Sequence, residues 1–323
     1  MSTGDEPLGP LDALRTPRFA GIRTFARLPT AEQVEHAHVA ILGAPFDGAA
    51  SFRPGARFGP AAIRDASVLL RPYNEPLDLS PFAAAQVVDS GDCGPNPMSV
   101  ASAHEAIQAA AGELHGAGTR VLGLGGDHSV ALPLLRAAAA RAGEPLSLLQ
   151  LDAHPDTWNE YFGEPVTHGT VMRRASEEGL IDPSRSAQIG LRGPLYSPAD
   201  LEDTAGLGFH TMLAREFDPA AAIALARDTL RSPVYVSVDI DALDPAFAPG
   251  TGTPEPGGLT SRELLAVLRG LAGAGLNVVA GDVVEVCPAY DVANITALAA
   301  AAAAYDLLGL MILGLSPGSG RRR

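Results

Sequence analysis

Cysteine is almost missing from this chain: 323 residues hold only Cys93 and Cys287. They lie far apart and outside any CxxC spacing, so neither a disulfide framework nor a thiolate zinc site is supported, and a reducing, cytoplasmic setting is expected. Basic charge is also scarce. Against 37 Asp and Glu there are 23 Lys and Arg, a formal charge of −14, which argues against nucleic acid as a partner because phosphate backbones are gripped by clustered cations. A small cationic ligand suits the balance better, although acidic surfaces mostly serve solubility. No GxxxxGK[ST] loop occurs, and GLGGDHS at 123–129 does not fit the dinucleotide fingerprint. The first 19 residues lack a charged start followed by an apolar run, so they do not read as a signal peptide. The one long apolar stretch, 295–315, is Ala-rich and broken by Tyr305 and Asp306. It predicts a helix covering a sheet, with no membrane partner.

What is present is an ordinary globular balance, 46% hydrophobic and 19% charged. Strand-like runs at 38–45, 85–88, 120–124, 146–151, 186–191, 233–239 and 277–286 alternate with helical composition at 99–114, 129–141, 169–178, 219–230 and 261–271. Runs such as VYVSVDI and LSLLQLD are apolar without strict alternation, which suits strands buried on both faces. Their alternation with helices makes the sheet largely parallel. No internal repeat is visible. We expect a single α/β domain over 17–315, flanked by flexible segments at 1–16 and 316–323. In open parallel sheets, ligand sites gather beyond the carboxyl ends of strands.

The chemistry-bearing residues stand at such ends. After LSLLQL come Asp152, His154 and Asp156 at every second position; after VYVSV come Asp239 and Asp241; after VLGLGGD comes His128. An Asp at a strand end is ordinarily a cap or turn former, and a lone His is ordinarily a hydrogen-bonded core residue. Three matched ends outweigh those readings. Four carboxylates that converge in a buried site repel one another, so cations must accompany them. Oxygen ligands mixed with imidazole suit Mn²⁺ or another first-row divalent ion, and the lack of thiolates points to catalysis rather than structure.

GGDHS at 125–129, DAHPD at 152–156 and SVDIDALDPAFAPGTGTPEPGG at 237–258 together resemble the ureohydrolase family of arginases, agmatinases, guanidinobutyrases and proclavaminate amidinohydrolases. The resemblance extends from PRFAGIRTFARLP at 17–29, through RPGARFGPAAIR at 53–64, to EVCPAYDVANITALAAA at 285–301. It implies a three-layer α/β/α sandwich around a mainly parallel sheet, and a homotrimer or homohexamer. It also implies two Mn²⁺ per chain held by His128, Asp152, His154, Asp156, Asp239 and Asp241, with Ni²⁺ as the alternative metal. Glu285 matches the family carboxylate that pairs with the substrate guanidinium. His168 matches its proton-shuttling histidine, and Asp156 is counted with these two among the catalytic groups. Asp127 and Asp244 are expected to orient ligands or loops, or to cap turns.

Substrate choice is expected in the loops 157–167 and 192–200, where Asn159 and Arg192 are candidate contacts beside His168 and Glu285. The segment DTWNEYFGEPVTHGT at 156–170 resembles agmatinases and guanidinobutyrases more than arginases, which makes agmatine, hydrolysed to putrescine and urea, the leading expectation. Val171, Met172, Asn294 and Cys93 depart from the usual agmatinase pattern. A guanidinobutyrase using Arg192 to meet a carboxylate, a hydrolase of another guanidine or biguanide, a metal-retaining inactive subunit and a one-zinc deacetylase remain as alternatives.

Overall fold

The computed structural model describes residues 6–315. Its strands are β1 (Val39–Ala44), β2 (Val87–Asp92), β3 (Arg120–Gly125), β4 (Ser147–Leu151), β5 (Ala187–Leu191), β6 (His210–Leu213), β7 (Val234–Asp239) and β8 (Val278–Val284). The α-helices are α1 (Gly59–Ser67), α2 (Pro81–Ala84), α3 (Val100–Gly116), α4 (Ala131–Ala142), α5 (Val171–Glu177), α6 (Ala199–Leu207), α7 (Pro219–Thr229), α8 (Ser261–Gly270) and α9 (Ile295–Leu313). All strand pairs are parallel, in the order β2-β1-β3-β8-β7-β4-β5-β6. Side chains of α1, α7, α8 and α9 pack with Val236, Val238 and Leu149 on one face, and those of α3, α4 and α5 with Tyr235 and Leu148 on the other. The largely parallel sheet expected from the alternation and the three-layer sandwich implied by the resemblance are therefore observed. Covering both faces explains why the strands are apolar throughout. Helix α9 is long and apolar enough to cross a membrane, yet 78% of its apolar window is buried inside the protein, as a sheet-covering helix requires.

Several elements differ from expectation. The edge strand β6 was not anticipated because His210 and Thr211 are exposed and its four residues show no apolar alternation. Helix α6 was not anticipated; it begins just after Pro198, at the end of the loop expected over 192–200, and buries only Thr204. Helix α1 hides behind Gly59 and Pro60, although Pro is well tolerated in a first turn. Residues 8–16, expected to be flexible, dock on the body. Gln86 exchanges hydrogen bonds with the Leu8 backbone at 2.8 and 3.0 Å, and Leu11 N donates to Arg27 O at 3.1 Å. Local composition gave no sign of these long-range partners. The expected flexibility of residues 1–5 and 316–323 concerns positions outside the described residues.

One buried ion pair ties α1 and the segment around Phe25 to the sheet edge. Arg64 on α1 donates to both carboxylate oxygens of Asp89 at 2.8 and 3.0 Å and to Gly91 O at 2.9 Å, while Asp89 Oδ2 also accepts from Phe25 N at 2.6 Å. Arg64 and Asp89 are 7% and 1% exposed. Removing one partner of such a pair strands a charge in the core. Arg64→Met should therefore cost about 3–5 kcal/mol of unfolding free energy, read from the urea midpoint. A loss under about 1 kcal/mol would show that the pair does not anchor the segment.

Candidate active site

The four central neighbours β3, β8, β7 and β4 end side by side, and the chemistry sits on their carboxyl ends. His128 follows β3, Glu285 follows β8, Asp239 and Asp241 end β7, and Asp152, His154 and Asp156 follow β4. All seven are buried except His154, which is partly exposed. His128 Nδ1 lies 3.0 Å from Asp152 Oδ2, 2.8 Å from Asp156 Oδ2 and 3.2 Å from Asp239 Oδ2. His154 Nδ1 lies 3.0 Å from Asp241 Oδ2 and 3.7 Å from Asp152 Oδ1. The structure thus brings all six expected ligand positions together. Two groups able to hold a metal ion, His128 with Asp152 and Asp156, and His154 with Asp152 and Asp241, share Asp152.

Beneath this acidic layer runs a buried polar row. The register aligns Gln188 with Gln150, Gln150 with Ser237, Ser237 with Asp282 and Asp282 with Gly123. Because a strand alternates faces, Asp152 and Asp239 project on the same face as Gln150 and Ser237, two residues further on. Gln188 Nε2 donates to Gln150 Oε1 at 2.6 Å, and Gln150 Nε2 to Asp152 Oδ2 at 2.7 Å. Ser237 Oγ donates to Asp282 Oδ1 at 2.7 Å, so the Ser237 contact to His128 Nε2 at 2.8 Å is accepted by Ser237. Tyr235 holds the other Asp282 oxygen at 2.5 Å. Ser237 therefore holds the proton on His128 Nε2 and turns Nδ1 toward the three carboxylates. That is the donor set of a metal ligand oriented from behind. Sequence reading missed this row, whose signal was a polar residue two places before Asp152 and before Asp239.

Electrostatics agree. Burial first, then the charge of Asp152, pushes Asp156 up to about 7. Burial with Asp241 and Asp152 raises Asp239 well above the usual carboxylate range. For His128 burial opposes the charge, but Asp156, Asp152 and Asp239 outweigh it and raise its pKa. The cluster thus calls for positive charge, which divalent ions supply.

Beside the cluster, Glu285 has a left-handed backbone, φ 64°, and so does Asp156, φ 54°. Non-glycine residues adopt this region only when their surroundings hold them there. Glu285 Oε1 accepts from His128 N at 2.8 Å and contacts His168 Nδ1 at 3.0 Å; Oε2 is buried with no partner. The other nitrogen of His168 meets the Ser51 hydroxyl at 2.7 Å and its amide at 3.1 Å. The Glu285 carboxylate outweighs burial and pushes His168 up to about 9. Gly252 packs close here, since a Cβ would stand 3.0 Å from Glu285 Oε2.

Not every expected residue joins the site. Arg192 is a correction: its guanidinium donates to the backbone oxygens of Gly190, Asp241, Ala242, Leu243 and Glu255 at 2.6–3.2 Å, so it braces the β7 exit rather than facing substrate. Asn159 is exposed and accepts from Arg174 at 3.1 Å, and no contact joins it to the cluster or to Glu285 among the described residues. Val171 and Met172 are fully buried in the core, and Asn294 is an exposed residue before α9. Asp127 caps the turn at His128 and holds Ala49 N at 2.8 Å, while Asp244 binds Gly257 N at 2.7 Å, so both shape loops. The two expected specificity loops do meet: Trp158 stacks on Tyr161 at 5.1 Å, and the Tyr161 and Tyr196 hydroxyls are 2.8 Å apart.

Comparison with known proteins matches this architecture. A model of the arginase family fits residues 37–309. The chain is 45% identical to a guanidinopropionase from Pseudomonas aeruginosa, covering 94% of this chain and 95% of that one. It is 43% identical to an agmatinase from Chromobacterium violaceum, covering 91% and 89%. The solved proclavaminate amidinohydrolase of Streptomyces clavuligerus superposes with a TM-score of 0.87 at 42% identity, over 93% of this chain and 100% of that one. The chain belongs to the arginase family of metal-binding hydrolases that act on guanidino compounds.

Proposed function

We propose that this chain releases urea from a small linear guanidino compound, and that the unpaired, buried oxygen of Glu285 beside the metal-binding cluster receives the substrate's guanidinium. That oxygen is the observation that carries the reading: a planar cation with several N–H donors is the ligand that satisfies a lone buried carboxylate oxygen by charge-assisted bonds. The relatives' names support it, since a guanidinopropionase, an agmatinase and a proclavaminate amidinohydrolase share a terminal guanidine as their target. We assign one metal position to His128, Asp152, Asp156 and Asp239, and the other to His154, Asp152, Asp239 and Asp241. Mn²⁺ is the ion that this mixed oxygen and imidazole set suits, with Ni²⁺ second. Two divalent ions, when bound, supply an activated hydroxide near neutral pH and charge stabilisation for its attack.

The protein's own groups do the rest. Glu285 fixes the guanidinium so that its central carbon faces the cluster, converting encounter into a positioned reaction. Asp156 adds negative charge beside the carbon as positive charge redistributes. His168, whose proton is favoured by Glu285, delivers it to the departing amine, with Ser51 at its other nitrogen. The buried surroundings exclude bulk water and strengthen each of these contacts. Agmatine is the expectation from sequence. A metal-retaining helper subunit is disfavoured because ligands, Glu285 and His168 are all assembled in this one chain.

Purified, manganese-loaded protein presented with guanidino compounds should release urea; no turnover with both metal positions filled would sink the proposal and favour the helper reading. Glu285→Gln should lower kcat/KM by about 10²-fold or more, and His168→Asn should lower kcat by about 10²–10⁴-fold. Elemental analysis should find two divalent ions per chain, whereas a single zinc would support the deacetylase alternative. Ser237→Ala, which frees the His128 tautomer, should weaken metal affinity by about 10–100-fold with the fold retained by circular dichroism. Unchanged affinity would remove the polar row from the metal site's support.

A further inference from the structure

We infer that Arg53 is the specificity residue that meets the far end of the substrate, and that this end is a carboxylate: the preferred substrates are short guanidino acids rather than agmatine. The inference rests on the urea-releasing reading above. Arg53 lies on a loop, residues 47–57, that is pinned to the active site at several points. Ser51 contacts His168, Ala49 N donates to Asp127 at 2.8 Å, and Ala49 O accepts from His168 N at 3.2 Å. The Arg53 carbonyl faces the same small space as Glu285: a Cβ on Gly252 would stand 3.0 Å from Glu285 Oε2 and 3.5 Å from Arg53 O. Its backbone is thus part of the wall beside the guanidinium-binding carboxylate.

The side chain then leaves that wall as a cation without an acceptor. The Arg53 guanidinium sits 4.9 Å from the Tyr290 ring centroid and 5.5 Å from that of Phe52. Among the described residues it makes no hydrogen bond and no ion pair. Tyr290 stands five residues after Glu285, at the same strand exit. The acid next to Tyr290, Asp291, is occupied in capping α9, accepting from Thr296 N and Ala297 N at 3.0 and 3.1 Å, and the acid nearest Arg53 in sequence, Asp47, is held by Gly55 N and Arg57. Aromatic faces hold an arginine plane in place while leaving its N–H edge free. A free, planar fork is suited to a carboxylate, which it binds with two parallel bonds. An ammonium at the same place would meet like charge. The competing feature is Glu255, beside Gly193 in the other loop, but it lies next to the Arg192 cation, which takes up part of its charge.

The test measures urea release by the metal-loaded full chain from 3-guanidinopropionate, 4-guanidinobutyrate and agmatine, for wild type, Arg53→Gln, Arg53→Lys and Glu255→Gln. One of the acids should exceed agmatine in kcat/KM by about 10-fold or more, and Arg53→Gln should raise its KM by about 10–100-fold with kcat within a few-fold, as expected for loss of a charge-assisted contact made equally in ground and transition states. Arg53→Lys should recover part of that loss, and the KM for agmatine should stay level or fall in Arg53→Gln. Agmatine preferred by the wild type, or an Arg53→Gln loss equal for acids and agmatine, overturns the inference while leaving the urea-releasing function standing. A Glu255→Gln loss confined to agmatine, with agmatine preferred, assigns the far end to an amine instead. No urea from any compound overturns the function and the inference together.

Discussion

Repulsion among carboxylates is the constraint around which this molecule is arranged. Asp152, Asp156, Asp239, Asp241 and Glu285 are all nearly or fully buried at the ends of three neighbouring strands, with Asp127 and Asp282 close by. A core that gathers so many acids stands only if each has donors on one side and positive charge on the other. The donors are visible: backbone N–H groups of residues 153, 154 and 241, and the Gln150 amide, hold the acids from the sheet side. Their remaining oxygens face inward around two imidazoles. What the protein leaves unmet on that inner side is positive charge, which bound metal ions supply.

The sheet order makes the arrangement possible. Strands β3, β8, β7 and β4 come from distant parts of the sequence, yet parallel pairing stops them together, so that every exit contributes from the same end. A parallel sheet buried on both faces offers little water to solvate polar groups inside it. The row from Gln188 to Asp282 is tolerated because most of its polar atoms are paired, Gln188 with Gln150 and both Tyr235 and Ser237 with Asp282, although Gln188 Oε1 has no partner. That row also fixes which nitrogen of His128 carries the proton. The same pleat that places a ligand at Asp239 places the support of His128 at Ser237.

Much of this was legible in the sequence, and the rest was not for physical reasons. Strand ends bearing DAHPD, DID and GGDHS announced both the fold class and the metal cluster, because the alternation that directs ligands is a property of the local backbone. Edge strand β6 and helix α6 escaped notice because little of either is buried, so hydrophobic periodicity left no mark. The docking of residues 8–16 escaped for another reason: Gln86, 78 positions from Leu8, supplies its partner. Arg192 illustrates the deepest limit. Its charge suggested a carboxylate receptor, yet its donors are spent on backbone oxygens of the β7 exit, a commitment that only three-dimensional proximity creates.

Arg192 and Arg53 together show why charge in a sequence does not assign a role. Both are partly buried arginines in loops beyond the strand ends. One is surrounded by carbonyl oxygens that the chain must satisfy as it leaves β7, so its guanidinium is structural mortar. The other lies between two rings, whose faces attract it without satisfying its N–H groups. A hydrogen-bonded arginine has little left for a ligand, while one held by aromatic faces keeps its donors for whatever arrives. Because the loop carrying Arg53 also carries Ser51 to His168 and Ala49 to Asp127, displacement of the rim is transmitted to the groups around Glu285. Recognition of the substrate's far end and placement of its reacting carbon are thus mechanically joined through one short loop.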